Sequence, residues 1–311
     1  MAEKIYGRES RRANTLAVHS VGEIGLEVPD LSKAENFYTS FGLEVSSRGD
    51  QVVLSTVGDP EPWVILTEGP ARRIRYVSFN CYEEDKAAFE THINRSAVER
   101  IPQPPEIDRD GLWFLDSFGM PLEIRVGSKR SPGQKFPDNF VLTGSAGRNG
   151  PLRQVAPPTV PRRLAHIGLQ IPDVDKAVDF YGPILGLRLT DRAANVAAFM
   201  HGAHGSDHHL LAFGVSRHRG LHHLSWDVPT VDAVGIGALK MAQQGYDAGW
   251  GVGRHLLGSN WFYYVRDPWG SYNEYSCGID YIPADKEWPV GYFAPEDALM
   301  LWGPPPPPEF F

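Results

Sequence analysis

Residues 22–38 read GEIGLEVPDLSKAENFY, and residues 165–181 read AHIGLQIPDVDKAVDFY. Nine of the seventeen aligned positions are identical without a gap. They are Ile24/Ile167, Gly25/Gly168, Leu26/Leu169, Pro29/Pro172, Asp30/Asp173, Lys33/Lys176, Ala34/Ala177, Phe37/Phe180 and Tyr38/Tyr181. Unrelated stretches do not agree so densely, so the chain carries an internal duplication. The agreement continues downstream, with RYVSF (75–79) against HHLSW (222–226) and DSFGMPLE (116–123) against DPWGSYNE (267–274). Two homologous halves follow, residues 1–127 and 163–290. Residues 128–162, rich in Gly, Pro, Ser and Arg, read as a linker. Residues 291–311 form a proline-rich tail whose end, GPPPPPEFF, is expected to be extended.

The apolar alternation of LAHIGLQI (164–171) predicts a strand. Pro172 and Asp173 then open a helix with an apolar stripe of Val174, Ala177, Val178 and Tyr181, ahead of Gly186. Strands are expected around 196–201 and 208–214. A second unit starts with the strand LHHLSWDV (221–228), followed by a helix from Thr230 to about 243. Strands near 247–254, 261–266 and 272–277 complete it. The pattern predicts an α+β fold of tandem βαβββ modules, two units per half, with a curved sheet around a hollow.

Composition bounds the function. The chain has 311 residues, a formal net charge of −8, 42% hydrophobic and 22% charged residues. It is too apolar to be disordered. No apolar run approaches the ~20 residues of a bilayer span, and the start, MAEKIYGRES, lacks a signal-peptide pattern. The acidity argues against nucleic acid as partner. Two cysteines, Cys81 and Cys277, make no disulfide framework, which fits a cytoplasmic location. Gly (32 residues) and Pro (26 residues) favour turns and short elements. Histidine is lopsided: His19 and His92 precede position 160, and the other nine follow it.

His166, His223 and Glu274 fall on three predicted strands of the second half, each at an alternating position that shares one sheet face. Two imidazoles and one carboxylate on one side of a metal leave positions open, as in non-haem Fe(II) oxygenases. A strand histidine is also a commonplace hydrogen-bonded core residue. The repeat adds weight to the metal reading. The matching positions of the first half are Glu23, Tyr76 and Glu123, so both histidines are absent there while the Gly, Pro and Asp frame is kept. This points to a working second copy and a metal-free first copy, although the shared carboxylate also fits a packing role in both.

The stretch GRHLLGSNWFYYVRDPWGSYNE (253–274) resembles the signature of the type I extradiol ring-cleavage dioxygenases of the vicinal oxygen chelate superfamily. Gly253, His255, Tyr264, Asp267, Pro268, Gly270 and Glu274 match it; Tyr263 departs, where an aliphatic residue or Phe is usual. The resemblance covers both halves and implies the vicinal oxygen chelate, glyoxalase-like fold. It implies His166, His223 and Glu274 as ligands of Fe(II), or of Mn(II), with O2 as co-substrate. The segment FMHGAHGSDHHLLAF (199–213) resembles the stretch that carries the family's acid/base histidine, which falls on His209. His255 and Tyr264 match residues that contact the substrate oxygens.

If the strand is regular, His208 points away from His209, and His222 faces outward for the same reason. His201, His204 and His218 have no motif support and read as loop or surface. Phe199, Trp250, Trp261 and Trp269 are candidate pocket aromatics. Trp250 stands where homoprotocatechuate-cleaving relatives carry an arginine, which favours a catechol without a side-chain carboxylate; the adjacent Arg254 is the counter-argument. The implied function is extradiol cleavage of a catechol-type ring in aromatic catabolism, by a homo-oligomer. The alternatives are a hydroquinone-cleaving or glyoxalase-like metalloenzyme of the same superfamily, or a metal-free small-molecule binder.

Overall fold

A computed structural model of the chain describes residues 11–135, 150 and 152–310. The N-terminal ten residues, the middle of the linker and Phe311 lie outside the described residues. The first half runs β1 (Ser20–Val28), α1 (Leu31–Phe41), β2 (Glu44–Arg48), β3 (Gln51–Thr56), β4 (Asp59–Glu68), β5 (Arg73–Cys81), α2 (Lys86–Arg95), β6 (Leu112–Leu115) and β7 (Pro121–Val126). Its sheet has the order β2-β3-β4-β1-β5-β7-β6. The second half runs β8 (Arg163–Ile171), α3 (Val174–Leu185), β9 (Leu187–Ala193), β10 (Ala197–Gly202), β11 (Ser206–Asp207), β12 (Leu211–Val215) and β13 (Gly220–Asp227). It continues with α4 (Val231–Gln243), β14 (Gly249–Arg254), β15 (Trp261–Arg266), β16 (Tyr272–Cys277), β17 (Tyr281–Ile282) and β18 (Gly291–Phe293). The large sheet has the order β14-β15-β16-β13-β8-β12-β10-β9-β18, while β11 pairs with β17.

The repeated residues have physical reasons. Asp30 and Asp173 cap the first helix of each half, their side chains accepting from the backbone N–H of Lys33 and Lys176. Gly42 and Gly186 end those helices at φ +100° and +73°, a conformation that disfavours a side chain. A Cβ at Gly25 would meet the Tyr76 ring at 2.2 Å, and one at Gly168 the His223 ring at 2.2 Å. Each glycine therefore lets a ring from the neighbouring strand lie across the sheet.

The tandem arrangement falls one strand short of expectation. In the first half only β6 and β7 follow α2, and residues 96–111 supply just an isolated bridge, Arg100 to Phe114. The two halves share one apolar core. The Tyr275 ring stacks on Phe41 of α1 at 3.9 Å, and its hydroxyl donates to the Phe41 carbonyl. The linker's ends are docked rather than loose. Arg130 is buried, lies over the Trp63 ring and donates to the carbonyl of Pro62, while Thr159 donates to the carbonyl of Ala233. Among the described residues no helix is long and apolar enough to cross a membrane.

Candidate metal centre

The ligand trio sits on three adjacent central strands. Ser225 of β13 stands opposite His166 of β8 on one side and beside Glu274 of β16 on the other. The α4 side of β16 is taken by Tyr275, which Gly237 of α4 approaches so closely that a Cβ would strike the ring at 2.7 Å. Alternation turns Glu274 to the opposite face. There Nε2 of His166 lies 3.0 Å from Nε2 of His223 and 3.4 Å from Oε2 of Glu274, and Nε2 of His223 lies 4.0 Å from that oxygen. Neighbouring ligands that each lie about 2.1 Å from one ion stand about 3 Å apart. Glu274 is fully buried, and its Oε2 has no hydrogen-bond partner among the described residues. A buried carboxylate oxygen without a donor is costly. A divalent cation answers it, so the residues fit a metal. Among the described residues this is the one His, Cys, Asp or Glu trio close enough to hold an ion.

Neighbours orient the ligands. The Phe310 carbonyl can only accept, so Nε2 of His222, 2.6 Å away, carries its hydrogen. Nδ1 of a neutral His222 then accepts from Nδ1–H of His223 at 2.7 Å, which leaves the His223 Nε2 lone pair toward the centre. Asn260 donates from Nδ2 to Glu274 Oε1 at 3.0 Å and to Ser276 Oγ at 2.9 Å. Burial alone would raise the Glu274 carboxyl, yet His166 and His255 hold it below the ordinary carboxylate range. Burial, with His222 and His166 adding to it, keeps His223 well below the usual histidine range.

The other expected site residues gather beside the trio. The His209 ring is 4.0 Å from that of His166. His255 Nδ1–H donates to the Leu299 carbonyl at 2.6 Å, so its Nε2 accepts from the Tyr264 hydroxyl at 3.0 Å. Burial and Glu274 push the Tyr264 phenol well above its usual range.

Residues 163–275 match the model of the Glyoxalase/Bleomycin resistance protein/Dioxygenase superfamily. Over 295 residues the chain is 46% identical to "Metapyrocatechase 2" of Cupriavidus necator, covering 95% of this chain and 92% of the relative. The chain belongs to the extradiol ring-cleavage dioxygenases. A biphenyl-2,3-diol 1,2-dioxygenase of Metapseudomonas furukawaii is 25% identical, with 93% of this chain and 94% of the relative covered. The fold is that of an extradiol ring-cleaving dioxygenase from B. fuscum, at TM-score 0.77 and 21% identity, covering 96% of this chain and 82% of that one.

The C-terminal tail of this dioxygenase is not a free extended arm. Phe310 is buried against Trp250, Tyr264 and Tyr272, and Trp250 Nε1 donates to the Pro304 carbonyl. Of the four candidate aromatics, Trp250 lies on this wall and Phe199 packs on His209 at 5.1 Å. Trp261 instead carries the Arg254 guanidinium over its ring, and Trp269 packs on the main core. Arg254 also donates from Nε to the Ser259 carbonyl.

Several histidines differ from expectation. His208 does not face away from His209, because residues 208–210 leave the ladder before β12 begins, and the two Nδ1 atoms lie 2.9 Å apart. His222 is half-buried against Phe310 rather than outward. His201 and His204 are buried, with Nδ1 of His201 hydrogen-bonded to Thr190 and Nδ1 of His204 accepting from Arg12 N–H. His218 is exposed, as expected. Asn260 was not singled out by motif. The repeat register marks it, since it and Arg109 each precede their carboxylate, Glu274 and Glu123, by 14 positions.

Proposed function

We propose that the second half binds one divalent metal through His166, His223 and Glu274. There it opens a catechol ring beside its vicinal hydroxyls, and both atoms of O2 enter a muconic semialdehyde-type product. The observation that carries this reading is the convergence of two imidazole nitrogens and one carboxylate oxygen, with Glu274 Oε2 lacking any hydrogen-bond partner among the described residues. Fe(II) is the metal of this reading; Mn(II) accepts the same donors. When bound, the metal supplies a Lewis-acidic, redox-capable centre with open positions for the diol and O2.

The side chains do the rest. Glu274 contributes one negative charge, so a dication in its grip keeps a net +1 and favours a catecholate monoanion. Tyr264 and His255, already hydrogen-bonded to each other beside Glu274, hold a substrate oxygen in place. His209 takes the proton of a substrate hydroxyl and returns one to the opened product. Phe199, Trp250 and Phe310 exclude water from the reacting face. With the Trp250 indole tied to the tail and Arg254 tied to Trp261, the wall offers an apolar surface in place of a carboxylate clamp. The substrate class is accordingly a simple, alkyl, aryl or further hydroxylated catechol. The buried thiols Cys81 and Cys277 favour a reducing cytoplasm. Exposed Tyr292, Leu301 and Trp302 favour a homo-oligomer.

The test is anaerobic Fe(II) loading followed by a catechol panel, read by the visible absorbance of ring-opened semialdehydes. Stoichiometric iron and coloured product are expected, and His166→Ala should lose both. Iron uptake with no ring-opened product from any catechol overturns the reading, as does full iron content in His166→Ala.

A further inference from the structure

Behind His209 runs a buried chain of hydrogen bonds that the ring-cleavage signature does not include. Nδ1 of His209 lies 2.9 Å from Nδ1 of His208. Nε2 of His208 lies 2.6 Å from Oδ2 of Asp191 on β9. The other oxygen of Asp191 accepts the backbone N–H of Gly291 at 2.7 Å, where β18 pairs with β9. All three side chains are buried, at 3%, 1% and 5% exposure for His209, His208 and Asp191. The Trp288 and Phe199 rings pack on His208 at 5.6 and 6.1 Å. Gly291 has no side chain to spare, because a Cβ there would lie 2.6 Å from Asp191 Oδ1.

The direction of the bond to Asp191 follows from what each group can offer, and that of the next bond from His208 carrying a single ring hydrogen. A carboxylate only accepts, so Nε2 of His208 carries the hydrogen. A neutral His208 then has its lone pair on Nδ1 and accepts from His209. His209 is thereby fixed with its hydrogen on Nδ1 and its lone pair on Nε2. We propose that Asp191 and His208 are positioning residues that set this tautomer, so that His209 presents Nε2 to the substrate as a hydrogen-bond acceptor. The proposal rests on the role given to His209 above and deepens it. The partners are supplied by β9 and by β18, which lies beyond the last strand of the βαβββ unit.

Asp191→Asn makes a sharp test, because its geometry forces an inversion. The Gly291 N–H still needs an acceptor, so the amide oxygen stays there and the amide NH2 faces His208. His208 must then accept on Nε2 and donate from Nδ1, and His209 must accept on Nδ1 and carry its hydrogen on Nε2. NMR of isotope-labelled histidine ring nitrogens, on the full chain loaded with diamagnetic Zn(II), reads these states directly. The expected wild-type result is a protonated Nδ1 and a lone-pair Nε2 on His209, with the pattern reversed in Asp191→Asn. His208→Phe keeps the ring packing and should leave His209 in a mixture of both tautomers. In the iron-loaded enzyme, Asp191→Asn should lower kcat by ~10²-fold with iron content and KM kept. A wild-type His209 with its hydrogen on Nε2, or an unchanged His209 pattern in both variants, overturns the proposal. A reversed pattern with unchanged kcat supports the hydrogen-bond chain and overturns the role given to His209 itself.

Discussion

The two halves answer the same buried carboxylate in different ways. Glu123 on β7 and Glu274 on β16 each accept from the residue 14 positions earlier, Arg109 in the first half and Asn260 in the second. Arg109 binds both oxygens of Glu123 and reaches on to Glu23, the counterpart of His166, at 2.8 Å. Tyr76, the counterpart of His223, donates to the same Glu23 oxygen, and Ser78 donates to Glu123. The first hollow thus holds a guanidinium where the second gathers the candidate metal ligands. Asn260 is shorter and neutral, satisfies one oxygen of Glu274 and leaves the other open. Side-chain length and charge at one register position distinguish a hollow with an internal cation from one suited to an external ion.

The largest effect should come from giving the second half the first half's cation. Asn260→Arg is expected to weaken iron binding by ~10²-fold or more and to abolish turnover while circular dichroism stays native. A folded variant with full iron content breaks the comparison. The converse change, Arg109→Met, leaves Glu123 buried without a guanidinium and Glu23 with only that of Arg125, 3.7 Å away. Urea unfolding should show a loss of about 3–5 kcal/mol, with ring cleavage by the folded fraction unaltered. A loss under about 1 kcal/mol would mean that Tyr76, Ser78, Arg125 or water, rather than Arg109, satisfies those carboxylates.

The smallest effect concerns the seam between the halves. The Tyr82 ring lies 4.4 Å from His19 of the first half and 5.3 Å from His204 of the second. Burial lowers His19 and His201 to about 3 and His204 to about 4. The folded chain therefore takes up these protons at lower pH than the unfolded chain, whose histidines titrate near 6.5. Stability should be full above that value, fall as pH drops below it, and level off near the folded values. Urea midpoints between pH 7 and pH 4 check this, and His204→Gln should flatten part of the slope. Equal slopes in the two proteins would remove His204 from the seam's acid response.

What the sequence disclosed depended on local periodicity and on identity between the copies. Asp30/Asp173 and Gly25/Gly168 are visible as repeat identities because a cap and a ring crossing each demand a particular residue. His166, His223 and Glu274 stood out as departures from a kept frame. His208 was misplaced because strand alternation was applied to residues that leave the ladder. Asp191, β18 and the packing of Phe310 were not visible, since each depends on a partner far along the chain with no local signature. The burial of His201 and His204 was missed for the same reason: Thr190 and Arg12 supply their contacts.

The placement of the candidate ligands also bears on when an ion could bind. His166 and His223 meet when β8 and β13 pair, but Glu274 joins them only after α4, β14 and β15 have been made and β16 has docked. The trio itself is no short motif that an unfolded chain offers, since 57 positions separate its two histidines, and closing so long a loop is slow. The complete trio therefore exists only once the second sheet has assembled, and occupancy of the candidate centre would report that its last central strand is in place.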